Sequence, residues 1–552
     1  MSRWTVWLVI LLCAGNIPFL RAQEPVEQTR AMEDLRFLLD VLEETHPDPY
    51  SAYGGKVEFK RKAQALLSGI PAEGLTSEGI YELVRPFLSE LRDGHTGLVS
   101  PSTSSEQTGS RDPRYLPVRF GIAMDAVFIT RAVAPFDELI GYRVLAVQGV
   151  AIEEVKLRAA QVFPAENDFG AARSLVWVLR SDRYARRLFV EADGRLTMEL
   201  SSPDGSRMMR SIPFRMTGRE YREAQWVGKR WEGMVQDSAP FSWQLLELEN
   251  VGYLKVQAME GREAYEEARS ADRQDLEHWV TRYYGRYMSE PVPEGMNAAL
   301  GAIPCFTRTV DDLLTAMKEV DSEYLIVDLR QNGGGFASLA TPFYLLAYGN
   351  EYLDYEFPDL WATVISPRYL EIFGTTIEDL NEDWGTSYQV GDYHLQRPAS
   401  ASESTDLEEY SVGLGRFRCS LAERVLALGG EPLYRPKNVI VLVNPMTFSA
   451  GYTFLYRLWH LGATILGVPS AQSPNAFTDA TPVKLPSSKL EGWMARSAQV
   501  FFPGDWEKGR LHVPDFPMNW EHFGRYQFDA ESEVLYALEL IASGAIGDAQ
   551  RK

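Results

Sequence analysis

The stretch Val439-Ile-Val-Leu-Val-Asn-Pro-Met-Thr-Phe-Ser449-Ala-Gly-Tyr-Thr-Phe454 decides the fold of this chain. Its first five residues are all aliphatic, which predicts a buried strand over residues 439–443. From Ala450 onward, apolar residues recur at helical spacing until Gly462, which predicts a helix over residues 450–461. A buried strand followed by a short turn and an amphipathic helix is typical of a mostly parallel α/β sheet.

Other segments of the chain repeat this alternation of strand and helix or depart from it. Apolar runs predict three further strands of the same kind, over residues 253–256, 324–329 and 463–466. An amphipathic helix is predicted over residues 310–320, and residues 26–100 show helical periodicity. Short β-type runs lie between these parts, over residues 116–122, 127–132, 143–147 and 196–200. The sequence therefore predicts a multidomain α/β protein.

Length and composition exclude several classes of protein. At roughly 100–200 residues per domain, 552 residues correspond to two to four domains. The formal net charge of −21 repels phosphate backbones, so nucleic-acid binding is disfavoured. The chain has three cysteines, Cys13, Cys305 and Cys419, without metal-ligand spacing, and it has no HExxH motif. We therefore expect neither a metal nor a cofactor.

The first 22 residues have the layout of a secretory signal peptide. Arg3 precedes an apolar run over residues 4–14, and Ala22 is a small residue just before a polar segment. The alternative, a membrane anchor, would need roughly 20 uninterrupted apolar residues. We expect a secreted or periplasmic protein without a membrane span. Cleavage would leave Cys305 and Cys419 free to pair, which the sequence does not decide.

Ser449 lies between the predicted strand and its helix. A serine in such a turn presents its hydroxyl at the carboxyl edge of a sheet, beside a helix N-terminus that favours a developing oxyanion. This position suits a nucleophile. The alternative is a helix N-cap, for which serine is a preferred residue.

A glycine cluster, Gly333-Gly-Gly335, follows the strand predicted over residues 324–329. Glycines allow backbone N–H groups to face a ligand without side-chain obstruction, as an oxyanion hole requires. A phosphate-binding loop would need a following Lys-Ser/Thr or a GxGxxG spacing, and neither is present. An ordinary turn remains the other interpretation.

A general base and its carboxylate are the remaining requirements. His95 lies in the tight turn Asp93-Gly-His-Thr-Gly97, and a neutral imidazole suits general-base catalysis near pH 7. Glu507 and Asp515 can each be argued as the acid that orients it, although either could be a solvated surface group.

In their order along the chain, these blocks resemble one known family. "LRDGHTGL", "ELIGYRVLAVQGVAIEEV", "VGYLKV", "YLIVDLRQNGGG", "VIVLVNPMTFSAGYTF" and "WEKGRLHVPDF" are similar to the carboxy-terminal-processing (tail-specific) serine peptidases of clan SK. Many members pair the serine with a lysine in a Gly-Lys-Gly context, whereas this chain reads Gly467-Val-Pro-Ser-Ala-Gln472. The resemblance therefore favours the tricorn-core-like branch, which uses a Ser/His/Glu triad.

The resemblance implies a role for each site residue. Ser449 would be the nucleophile, His95 the base and Glu507 the orienting acid, with the shared "WEKGRLHVPDF" block favouring Glu507 over Asp515. The backbone N–H groups of Gly334 and Ala450 would form the oxyanion hole.

The resemblance also implies a domain organisation, with a crotonase-like ββα catalytic core. The expected parts are a signal peptide (1–22), a helical domain (23–105), a PDZ-like module (112–216) and the core (240–545), with insertions near 260–305 and 350–430. The expected activity is hydrolysis of peptide bonds in proteins or peptides. An inert binding protein for an apolar ligand or peptide, and a small-molecule esterase, are the alternatives. Whether the chain forms a homo-oligomer stays open.

Overall fold

The computed structural model describes residues 25–101, 112–189, 194–234, 239–246, 250–270, 276–396 and 421–547. The predicted signal peptide lies outside these residues. The strands are β1 (Gly97–Leu98), β2 (Val118–Ile122), β3 (Val127–Ala132), β4 (Arg143–Val147), β5 (Val150–Ala151), β6 (Arg195–Ser201), β7 (Arg207–Pro213), β8 (Phe241–Leu246), β9 (Val251–Val256), β10 (Tyr324–Asp328), β11 (Leu360–Val364), β12 (Tyr393–Gln396), β13 (Asn438–Val443), β14 (Thr464–Gly467), β15 (Asn475–Lys484), β16 (Glu491–Val500) and β17 (Phe516–Pro517).

The described residues also form α-helices along the chain. In chain order they are Gln28–Thr45, Lys56–Ser68, Ser77–Ser89, Ile152–Ala159, Asp168–Arg180, Asp182–Leu188, Gly218–Glu223, Arg262–Ser270, Leu276–Tyr287, Met296–Ala302, Phe306–Glu319, Thr341–Tyr348, Asn350–Leu353, Pro367–Phe373, Ile377–Trp384, Leu421–Leu428, Ala450–His460, Trp506–Arg510, Trp520–Arg525 and Ser532–Ala542.

A six-stranded sheet in the order β17-β14-β13-β10-β9-β8 carries the Ser449 turn and the glycine turn. Its neighbouring strands pair in parallel except β8, which is antiparallel to β9. Leu325 and Val441 belong to the core on one face, whereas Ile326 and Ile440 belong to the core on the other. Burial on both faces explains why the sequence shows continuous apolar runs here rather than alternation.

The middle of the chain forms an antiparallel sheet in the order β2-β3-β4-β6-β7, with β5 paired to β4. Its strands β2, β3, β4 and β6 lie at or within two residues of the predicted short β-runs, whereas β5 and β7 were not predicted. The helices Ile152–Ala159, Asp168–Arg180 and Asp182–Leu188 cover this sheet and share its apolar core. The PDZ-like assignment of this region stays a prediction.

A third sheet, which the sequence did not indicate, joins distant parts of the chain. The long hairpin β15–β16 pairs with β1, next to His95, and with β11 from the predicted 350–430 insertion. Val483, Leu485, Leu490 and Met494 of this hairpin belong to the same core as the three N-terminal helices. The helical N-terminal part therefore completes its core with residues from the end of the chain.

The predicted 260–305 insertion forms three helices around a small apolar core of its own. Phe336, directly after the glycine cluster, packs against this core. Cys305 is disulfide-bonded, and the other two cysteines, Cys13 and Cys419, lie outside the described residues. Among the helices described here, none has the length and apolar character needed to cross a membrane.

Candidate active site

Ser449 occupies a sharp turn between β13 and the helix Ala450–His460. Its φ of +52° and ψ of −127° are unusual for a residue with a side chain, and such strain is characteristic of a nucleophile elbow. Its side chain makes no capping hydrogen bond, and its residue exposure is intermediate. The hydroxyl therefore does not serve the helix end, which was the alternative interpretation of this serine.

The glycine turn lies directly against Ser449. Gly334 has a φ of +99°, and a Cβ built on it would lie only 2.6 Å from Ser449 Cβ. The Gly334 N–H donates to Asn332 Oδ1 (3.0 Å), and the Asn332 carbonyl accepts the Phe448 N–H (2.8 Å). Within the described residues, the Ala450 N–H has no acceptor. Both predicted oxyanion donors thus flank the serine, but Gly334 N–H is engaged.

Gln472 holds the serine turn from a third segment, the loop after β14. Its side chain is buried, and its Oε1 accepts the main-chain N–H of Ser449. The Gln472 N–H in turn donates to Ser470 Oγ (2.9 Å), whose hydroxyl donates to the Thr447 carbonyl. In the sequence, Gln472 stands out only as the end of the segment that lacks a lysine.

The His95 turn follows the helix Ser77–Ser89 and is organised by Asp93. Asp93 is buried, and its Oδ1 accepts the His95 main-chain N–H at 2.7 Å. Its Oδ2 lies 3.3 Å from Nε2 of the buried His46, a residue that sequence reasoning missed. Thr96 then accepts the Ala495 N–H (3.0 Å), so the turn is tied to the β15–β16 hairpin.

The His95 ring lies beside the serine turn. It stacks on the ring of Phe448, the residue before Ser449, with centroids 5.1 Å apart. Both ring nitrogens are buried and have no hydrogen-bond partner among the described residues, so no bond to the Ser449 hydroxyl is formed. Burial and the positive charge of Arg173 lower the pKa of His95, against the opposing charges of Asp93 and Asp479. The imidazole is therefore neutral at neutral pH, as a general base must be.

The predicted acids lie elsewhere. Glu507 is exposed in the first turn of the helix Trp506–Arg510, and no hydrogen bond or ion pair joins it to His95 in the described part of the chain. Asp515 accepts the Ile465 N–H at 2.8 Å and so supports the edge of the parallel sheet. The structure thus brings Ser449, Gly334 and Ala450 together with the His95 turn, but it does not bring Glu507 to His95.

Glu166, from the segment before the helix Asp168–Arg180, lies where an acid was expected. Its carboxylate, that of Asp93 and a His95 ring nitrogen all lie within 4.8 Å of one another. These are also ligand types for a divalent cation, but both carboxylates already accept main-chain N–H groups, which favours an acid–base role. Asn167, the residue after Glu166, caps that helix, and this cap was the only local feature of the sequence that could have drawn attention to Glu166.

Comparison with known proteins identifies the fold. No protein-family model and no curated protein sequence matches this chain. Mature CPAF matches in structure with a TM-score of 0.56 at 15% identity, over 94% of this chain and 99% of that chain. CPAF complexed with lactacystin matches with a TM-score of 0.55 at 16% identity, over 93% and 99%. The chain therefore has the fold of the C-terminal processing proteases, as the resemblance predicted.

A further solved structure, the photosystem II D1 C-terminal processing protease, matches with a TM-score of 0.40 at 13% identity, over 93% of this chain and 97% of that chain.

Proposed function

We propose that this chain is a serine peptidase that hydrolyses peptide bonds in proteins or peptides through an acyl-enzyme on Ser449. The observation that carries the proposal is the Ser449 turn: a strained serine at a helix N-terminus, whose hydroxyl caps nothing and whose Cβ lies against a glycine turn. Strain of this kind costs of order 1–3 kcal/mol and persists where the conformation itself is needed.

In the proposed reaction, the Ser449 hydroxyl oxygen bonds to the carbonyl carbon of the scissile peptide while His95 takes the hydroxyl proton. His95 then gives that proton to the leaving amine, and the C–N bond breaks. Water, activated by His95 in the same way, hydrolyses the resulting ester. The oxyanion would be stabilised by the Ala450 N–H and, once Asn332 releases it, by the Gly334 N–H.

The proposal requires a small rearrangement at the histidine. Because His95 makes no bond to Ser449 in this structure, its ring has to move toward the serine when substrate binds. Catalytic hydrogen bonds are often loose in enzymes without substrate and tighten in the complex. Because neither ring nitrogen has a partner at hydrogen-bond distance among the described residues, the Phe477 backbone opposes such a movement only weakly.

The test uses the purified chain and its Ser449→Ala variant, each incubated with casein and, separately, with a fluorophosphonate probe. We expect the parent alone to cleave casein and to carry the probe on Ser449, as found by mass spectrometry of its peptides. Cleavage by both proteins would contradict the assignment of the nucleophile. Absence of both cleavage and labelling in the parent would favour the inert binding protein, and hydrolysis of small esters alone would favour the esterase.

We further propose that the protein is secreted or periplasmic after cleavage near residue 22. The disulfide at Cys305 supports an oxidising compartment. N-terminal sequencing of the protein recovered from the producing cells should begin close to Gln23, whereas an intact Met1 would contradict the proposal.

A further inference from the structure

His95 lacks the acid that a Ser/His/Glu site requires. Its two ring nitrogens have no partner in the described part of the chain, and Glu507 is exposed on a separate short helix. A general base needs a carboxylate that fixes its tautomer and stabilises the imidazolium formed during the reaction. The groups around His95 identify which carboxylate can do so.

We propose that Glu166 is the positioning residue of His95, in the role that the family resemblance gave to Glu507. This inference rests on the proposed function, because it concerns the base of that reaction. Glu166 would accept the imidazole proton that faces away from Ser449, while the other ring nitrogen takes the serine proton.

Glu166 is anchored by backbone groups from both sides of the site. Its Oε1 accepts the N–H of Gly94, next to His95, at 3.1 Å, and its Oε2 accepts the N–H of Ser473 at 2.8 Å. Ser473 follows Gln472, whose side chain holds the main chain of Ser449. Each oxygen of the ionised carboxylate has two lone pairs, so Glu166, once deprotonated, retains an acceptor site on each oxygen for the imidazole.

Asp93 is the other carboxylate near His95, but its oxygens are committed to the turn. Oδ1 accepts the His95 main-chain N–H at 2.7 Å and lies 3.9 Å from the ring Nδ1, outside hydrogen-bond range. Oδ2 faces His46 at 3.3 Å. Asp93 therefore fixes the backbone of the turn. Glu166 lies slightly farther from the ring, within 4.8 Å of a ring nitrogen, but it comes from a separate segment of the chain.

The charged groups around Glu166 control its protonation. Burial and the negative charge of Asp93 raise the pKa of Glu166 to about 8, against the Ser473 and Gly94 N–H groups and Arg173. Arg173 is buried, with its guanidinium 4.6 Å from the Phe448 ring. Glu166 is thus largely neutral at pH 7, and its carboxylate forms as the pH rises. Since a carboxylate favours the imidazolium, activity should rise as the pH passes through about 8.

The experiment compares Glu166→Gln with Glu507→Gln, the same carboxylate-to-amide change at an exposed site. For the full chain, kcat and KM on casein and the rate of fluorophosphonate labelling of Ser449 are measured between pH 6 and 10. We expect Glu166→Gln to lower kcat about 100-fold with little change in KM, and to abolish the rise through pH 8. Glu507→Gln should retain both activity and that rise, and Glu166→Asp should retain the rise in part.

Three results would overturn the inference. Activity lost in Glu507→Gln but kept in Glu166→Gln would assign the role to Glu507. A Glu166→Gln rate reduced by the same factor at every pH, with the rise preserved, would make Glu166 merely structural. If Glu166→Gln does not fold, as judged by its thermal unfolding, a wild-type profile that is flat through pH 8 would decide against Glu166. Failure of the proposed function is distinct, because the wild type itself would then not be labelled.

Discussion

The two halves of the candidate site are held by different kinds of structure. The Ser449 turn and the glycine turn follow neighbouring parallel strands, β13 and β10, so the backbone ladder of one sheet fixes their separation. The His95 turn is instead held by side-chain hydrogen bonds from His46, Glu166 and the β15–β16 hairpin. We therefore expect substitutions in the serine half to have larger effects than those in the histidine half, the proposed positioning residue Glu166 excepted.

The largest effect is expected for Arg330→Met in the serine half, between the end of β10 and the glycine cluster. The Arg330 guanidinium donates two bonds to Asp328, at 3.0 and 2.8 Å, and one each to Glu531 and Glu533, both at 2.7 Å. Its loss would leave the buried carboxylates of Asp328 and Glu533 without their cation, and Glu531 with its second partner, Arg230. Urea unfolding should show a free energy of unfolding lower by about 3–5 kcal/mol.

The control for this prediction is Arg61→Met, which removes an arginine from an exposed ion pair. Such pairs contribute little, so the free energy of unfolding should change by less than about 0.5 kcal/mol. Equal effects of the two substitutions would show that the buried network does not hold the serine half.

The next largest effect is expected for Gly334→Ala, measured as kcat/KM and as the labelling rate of Ser449. The new methyl group would lie 2.6 Å from Ser449 Cβ and 3.1 Å from the Ala450 nitrogen, on a backbone with a φ of +99°. Displacing an oxyanion donor costs about 10²–10³-fold in kcat. Gly333→Ala is the matched control, since its Cβ would have nothing within 4 Å, and comparable losses in both would contradict the assignment of Gly334.

The same contrast between halves explains what the sequence could predict. Residues 439–443 and 324–329 match β13 and β10 to within one residue, because a buried parallel strand is a local apolar run. Ser449 and the glycine cluster follow from those strands, since the carboxyl ends of neighbouring parallel strands meet at one edge. The serine half could therefore be predicted from sequence patterns, and the fold shared with CPAF agrees with that prediction.

The histidine half depended on contacts between distant segments. Glu166 and Ser473 are 307 residues apart, and Thr96 and Ala495 are 399 apart, with no periodic pattern to pair them. The β15–β16 hairpin also escaped prediction, because Pro482 lies within the first strand and buried positions carry polar residues such as Thr478, Thr481 and Ser497. A family motif supplied Glu507, but a motif does not report which carboxylate this chain brings to the imidazole.

Within the histidine half, Asp93→Asn should have a pH-dependent effect on stability. Burial alone would raise the pKa of Asp93, but hydrogen bonding to His46 and the charges of His46 and His95 lower it overall. A carboxyl group whose pKa is lower in the folded state stabilises the protein at pH values above its pKa in the unfolded state, about 3.9. This stabilisation is lost as the pH falls through the pKa of the folded state. We expect a free energy of unfolding lower by about 1–3 kcal/mol at pH 7.

The measurement is urea unfolding of Asp93→Asn and of the parent at several pH values. The difference between them should shrink as the pH falls below about 3.9. Glu507→Gln, the same change at an exposed carboxylate, should stay within about 0.5 kcal/mol of the parent throughout. A difference that is constant with pH would show that Asp93 acts through shape rather than charge.

The smallest effect is expected for Gly94→Ala, between Asp93 and His95. A Cβ at this position would lie 2.5 Å from the Phe448 ring and 3.0 Å from Glu166 Oε1. Because both contacts are with side chains rather than with the backbone, we expect a loss in kcat/KM of about tenfold rather than the larger loss at Gly334. Gly97→Ala, which meets nothing within 4 Å, should be close to the parent. A loss at Gly94 as large as that at Gly334 would mean that the histidine half is as rigid as the serine half, and that the movement of His95 toward Ser449 leaves no room for adjustment by its neighbours.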